Sequence, residues 1–114
     1  MQNDLDILRS ILGGFFKEQI YSDGVKKLRV ALKEREYYKG SWEGIIRLIL
    51  MKDMPEGQAL YFMDNDANLP LHENSDDEAF KWLTLMVINA SKPRGDKIFD
   101  YKDFLDPDVI KPFA

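Results

Sequence analysis

Residues 75–90 read SDDEAFKWLTLMVINA, and this stretch decides the fold class. Ser75 followed three residues later by Glu78 is a capping-box pattern, in which the serine oxygen accepts a backbone N–H of the first turn. Asp76, Asp77 and Glu78 place negative charge where the helix dipole is positive. Behind them Ala79, Phe80, Trp82, Leu83, Met86, Val87 and Ala90 recur at helical spacing and form one apolar stripe. The stripe stops near Ser91-Lys92-Pro93, and proline cannot continue a helix. Start, buried face and stop of one helix are thus all readable here.

The same period runs upstream. Leu5, Leu8, Leu12, Phe15 and Phe16 share a helical face, with Asn3 or Asp4 as cap. Gly13 and Gly14 lie inside that helix at a cost of about 1 kcal/mol each relative to alanine. A close helix contact or a kink is expected there. A second helix spans Asp23 to Glu36, with Val25, Leu28, Ala31 and Leu32 inward. Lys26, Lys27, Arg29, Lys33 and Arg35 occupy much of the remainder, read as solvated surface. Lys39-Gly40-Ser41 reads as a break with Ser41 as N-cap. It opens a helix striped by Trp42, Ile45, Ile46, Ile49 and Leu50. Leu48 and Met51 widen its apolar surface, so this helix is expected to be central.

Pro55 reads as the first position of a further helix that continues through Leu60, Phe62 and Met63. Residues 64 to 75 form the longest polar break. After a turn at Arg94-Gly95-Asp96 comes an aromatic segment with Ile98, Phe99, Tyr101, Phe104 and Leu105. Residues 94–114 are read as a tail that packs back on the bundle or reaches toward a partner. Nothing alternates cleanly as a strand for five residues or more. The expectation is an all-α, single-domain bundle of about five to six helices over residues 1–114.

With 114 residues, 45% of them apolar and 32% charged, the chain can bury one core. Its 16 basic and 20 acidic residues leave a net charge of −4. That balance argues against direct binding of nucleic acid, which needs a positive footprint. The chain has no cysteine, so no disulfide, thiolate nucleophile or cysteine-based zinc site is available. The opening MQNDLDILRS has two aspartates where a signal peptide would be positive, and no apolar run reaches bilayer length. A cytoplasmic protein without membrane contact is expected.

The stretch from Tyr61 to Phe80 raises the question of chemistry. Asp64, Asp66 and Asn68 fit the first, third and fifth positions of a calcium loop. Leu69 then stands where glycine must turn the chain, and Ser75 where a bidentate glutamate is needed. The pattern fails. His72 is the chain's one histidine, and no second histidine or any cysteine completes a transition-metal site. It also lacks the nucleophile and oxyanion hole that a general base would serve. Paired carboxylates leave a small metal-dependent hydrolase as a remote reading. The expectation is no enzyme activity, no cofactor and no metal. Trp42 and Trp82 are assigned to the core. Tyr37, Tyr38 and Tyr101 are read as half-buried staples or interface anchors.

What stands out is charge segregation. Asp64 to Glu78 holds six acidic residues and no basic one. Asp100 to Asp108 holds four aspartates and one lysine, and Lys17 to Lys39 seven basic and four acidic residues. A gathered acidic face would speed association with a basic protein partner. The expected contact residues are Asp64, Asp66, Glu73, Asp76, Asp77 and Asp100, with Tyr101 and Phe104 as apolar anchors.

The run Leu5…Leu8…Ile11-Leu12-Gly13-Gly14-Phe15-Phe16 resembles the amino-terminal signature of immunity proteins from contact-dependent growth inhibition systems. The isoleucine-rich helix after Trp42, and Ala79-Phe80-Lys81-Trp82-Leu83, are similar to later segments of that family. The likeness covers roughly residues 5 to 90. Where the family often has His-Gln-Asp, this chain has Lys17-Glu18-Gln19, so no role is carried over for that triplet. The resemblance implies a small cytosolic helical protein of Gram-negative bacteria. It would bind the toxic C-terminal domain of an incoming effector, often a nuclease with a basic active site, and block it. The alternative is a helical adaptor or regulatory interaction module with no toxin partner.

Overall fold

The computed structural model describes residues 4–17, 19–67, 75–91 and residue 98. All regular structure among them is helical, which gives the all-α bundle the periodicity predicts. None of the helices is long and apolar enough to cross a membrane.

Helix α1 (Asp4–Ile11) has Asp4 and Asp6 in its first turn and Arg9 in its last, the order the helix dipole favours. It buries Ile7, Leu8 and Ile11 and runs directly into a π-helical segment, Leu12–Phe16. The wider turn closes with Lys17 N–H donating to Leu12 O at 3.2 Å. It brings Leu12, Phe15 and Phe16 all into the core and leaves Gly13 and Gly14 outside. The glycine pair therefore marks a change of helical pitch rather than a kink.

Helix α2 (Tyr21–Glu34) packs on this segment through Gly24. A Cβ there would lie 2.6 Å from the Phe15 carbonyl oxygen, so only glycine permits the approach. Helix α3 (Glu36–Leu50) follows after one extended residue, Arg35, with φ −113° and ψ 111°. The expected break at Lys39-Gly40-Ser41 does not occur. Gly40 sits in mid-helix with nothing near it, and Ser41 caps nothing. The chain bends at Arg35 instead, where no glycine or proline marks the bend.

Trp42, Ile45 and Ile49 of α3 enter the core, while Leu50 and Met51 reach solvent. The helix packs against α1, α2 and α5, the central place expected for it. Its end is a Schellman motif: Asp53 N–H donates to Leu48 O at 2.9 Å and Lys52 N–H to Ile49 O at 3.2 Å. This fold-back puts Lys52 at φ 52°, a left-handed position usually held by glycine.

Pro55 does not open the next helix. Gly57, at φ 84°, precedes α4 (Gln58–Tyr61), which continues into a second π-helical segment, Phe62–Asp66. Ala67 N–H closes that turn on Phe62 O at 2.8 Å. Helix α5 (Asp76–Ser91) begins and ends as the sequence indicates, and the Glu78 N–H donates to Ser75 Oγ at 3.2 Å. It touches α2, α3, α4 and the second π segment. Besides the predicted stripe, Leu85 and Ile88 are buried too, so α5 is enclosed on nearly every side. Full burial of each such aliphatic side chain contributes about 1.5–3 kcal/mol. Trp42 is buried and Trp82 half-buried against the core, as expected. Ile98, from the predicted tail, also packs on the core.

Candidate functional site

The acidic stretch was expected to present one face. Its described carboxylates instead divide between internal and external duty. Asp66 ends the second π segment, where its carboxylate meets the Arg9 guanidinium, Nε to Oδ2 at 3.3 Å and Nη2 to Oδ1 at 3.5 Å. Its side chain is only 13% exposed. Arg9 also lies 6.0 Å from the Tyr61 ring centroid, and the Tyr61 hydroxyl accepts from Asn65 Nδ2 at 3.1 Å. This cluster ties α1 to the α4–π segment.

Asp76 is committed as well. Its Oδ2 accepts from Gly57 N–H at 2.6 Å and its Oδ1 from Leu60 N–H at 3.0 Å. Those are N–H groups that the start of α4 leaves without intrahelical partners. Asp76 thus caps α4 from the first turn of a different helix. Glu78, in the same first turn of α5, is buried.

Asp64 and Asp77 remain exposed. Asp77 borders an open groove of about 350 Å³ with Lys52, Phe80, Lys81 and Thr84. The Lys52 ammonium sits over the Phe80 ring there, 5.8 Å from its centroid. Glu73, Asp100, Tyr101 and Phe104 lie outside the described residues, as do His72 and Asn68 of the rejected metal readings. Asp64 and Asp66 are held in helical conformation, not in a calcium loop. Among the described residues no three His, Asp or Glu side chains are grouped to hold a metal ion.

The basic residues of α2 were expected to be solvated, and Arg29 is half-buried instead. Arg29 Nε donates to the Asn89 carbonyl at 2.9 Å, near the C-terminal end of α5. The buried Asn89 side chain in turn donates through Nδ2 to the Tyr21 hydroxyl at 3.1 Å. The Tyr21 ring stacks on Phe16 and meets Trp82 edge-on, with centroids 5.5 Å and 5.4 Å away. Burial pushes the Tyr21 hydroxyl well above the ordinary tyrosine range, against the downward pull of the Asn89 bond and the Arg29 charge.

The rest of that surface forms a second open groove, of about 530 Å³. Buried Phe15 and Ala31 underlie it, and exposed Gly14 and Val30 border it. Lys26 and Lys27 line it from the middle of α2, Glu34 and Arg35 from the C-terminal end of that helix. Val30 was the available sequence signal, an apolar residue off the buried stripe of a basic helix. Tyr38 serves as a staple here, its ring edge-on to Phe15 at 5.6 Å.

No protein family, curated protein or solved structure matches this chain.

Proposed function

We propose that the protein is an immunity protein that binds and neutralises the toxic C-terminal domain of a contact-dependent growth inhibition effector. The reading starts from the sequence resemblance over residues 5 to 90. Leu8, Ile11, Leu12, Phe15 and Phe16 of the amino-terminal signature are core residues, so the likeness concerns how the fold is built and not a contact surface. The toxin must therefore be met elsewhere.

The observation that carries the binding face is the division among the carboxylates. Asp66 and Asp76 are spent on the fold, while Asp64 and Asp77 stay exposed and make no described hydrogen bond or ion pair. An exposed carboxylate surface suits the basic active site of a nuclease and raises the association rate by electrostatic attraction. The protein acts in this reading by occlusion, in the cytoplasm, without chemistry of its own.

The test is co-purification with the toxin domain encoded beside the gene, followed by an assay of toxin activity. Wild-type protein should form a stoichiometric complex and silence the toxin. Asp64→Lys with Asp77→Lys should slow association at least about tenfold, and added salt should imitate that loss. No complex with the neighbouring effector domain overturns the function. A complex indifferent to the double reversal overturns the face alone.

A further inference from the structure

The groove along α2 has no part in that reading. We propose that it is a docking site for an acidic segment of a partner protein. The segment would lay two carboxylates about 12 Å apart on Lys27 and Arg35, the axial rise between those positions of a helix. Between them it would set an apolar side chain over Val30 and Phe15.

Charge is the first argument. The groove gathers Lys26, Lys27 and Arg35 against the single carboxylate of Glu34, on a chain whose net charge is −4. It is a local reversal of the molecule's sign, and complementary charge selects an anionic occupant. The cations are also held in place. Lys27 Nζ donates to Gln19 Oε1 at 2.8 Å, and the Arg35 guanidinium lies 6.0 Å from the centroid of the Tyr38 ring. Tyr38 is braced in turn by Phe15. Less ordering is then required on binding.

The second argument is Gly14. Glycine weakens a helix relative to alanine. Gly24 repays that weakness with a contact no side chain permits, but a Cβ on Gly14 would meet nothing within 4 Å. The described fold leaves open space for a side chain at this place. A side chain there would stand at the border of the groove, where an occupant approaches the backbone.

The third argument decides between a protein and a nucleic acid. Val30 is 54% exposed and Phe15 and Ala31 lie beneath it, so the space between the charged ends is apolar. A sugar-phosphate backbone gains little from such a floor and is repelled by the rest of the surface. An amphipathic acidic helix matches both features.

The experiment needs no knowledge of the natural partner and does not rest on the immunity reading. The probe is a fluorescent helical peptide with two glutamates about eight residues apart and a leucine midway. Its control carries lysines in place of the glutamates. Wild-type protein should bind the glutamate peptide and not the lysine peptide, with affinity falling as salt is added. Lys27→Glu with Arg35→Glu should weaken binding at least about tenfold at unchanged helical content. Gly14→Leu should weaken it without lowering the melting temperature, and Gly14→Ala should do so more mildly.

Failure of the glutamate peptide to bind, or equal binding of the two peptides, overturns the proposal. So does tighter binding of a single-stranded oligonucleotide through the same residues. Self-association that the double reversal abolishes would assign the groove to a second copy of this chain, and likewise overturns it.

Discussion

The Gly57 backbone N–H donates to the Asp76 carboxylate at 2.6 Å, across 19 residues of sequence. The other oxygen of that carboxylate takes the Leu60 N–H. Helix α4 has no capping side chain of its own and borrows one from α5. Asp76→Ala should then cost about 1–2 kcal/mol of stability, the usual loss for an N-cap. Asp76→Asn, which keeps one acceptor oxygen, should lose less. Urea denaturation gives the energies, and amide exchange at Leu60 should accelerate in the alanine variant before it does in α5. Unchanged exchange at Leu60 would mean the cap contributes nothing.

Lys52 makes a prediction of sign. Its left-handed backbone suits glycine better, while its ammonium gains from the Phe80 ring. A left-handed residue with a Cβ costs about 1–2 kcal/mol, and an exposed cation–π contact returns about 0.5–1 kcal/mol. Lys52→Gly should therefore stabilise the protein slightly, by less than about 1 kcal/mol. Lys52→Ala keeps the backbone strain and loses the ring contact, so it should destabilise. Melting temperatures of the two variants should lie on opposite sides of the wild type.

Two glycines in helices should likewise part ways. Gly24→Ala forces a methyl against the Phe15 carbonyl and the Phe16 ring, which costs about 1–3 kcal/mol as overpacking does elsewhere. Gly40→Ala fills open space on an exposed part of α3 and should gain about 0.5–1 kcal/mol. Chemical denaturation of both, at equal slope, checks the pair.

Tyr21 gives the fold an alkaline limit. Burial holds its folded ionisation above the ordinary tyrosine value of about 10. Its contribution is intact below that value. As pH rises past it the unfolded chain releases the proton first, so stability falls until the folded state ionises too. Tyr21→Phe should flatten that alkaline decline. At neutral pH it should cost about 1–2 kcal/mol, because Asn89 Nδ2 loses an acceptor in a buried place. Denaturation series at neutral and alkaline pH separate the two effects.

The parts of this architecture written locally were legible, and those written across long gaps were not. Ser75 and Glu78 sit three residues apart and announce α5 on their own. The bend at Arg35 has no local sign, because packing of α2 and α3 imposes it on an ordinary residue. Gly40 looked like punctuation and is not, since an isolated glycine can be carried inside a helix by tertiary contacts, while Pro55 stands in the turn three residues ahead of α4 and not at its first position. The internal partners of Asp66 and Asp76 were hidden for the same reason. Arg9 lies 57 positions from Asp66 and Gly57 lies 19 from Asp76, so composition alone counts both carboxylates as surface charge.

The π turn at Leu12–Phe16 contains one residue more than an α turn over the same rise. Length is therefore negotiable at this spot in a way it is not elsewhere in a helix. A cousin of this chain lacking that residue would close as an unbroken α-helix, with the residues ahead of Leu12 keeping the face they now bury. The two could be superposed in sequence only by opening a gap in the middle of their first helix, between Ile11 and Lys17.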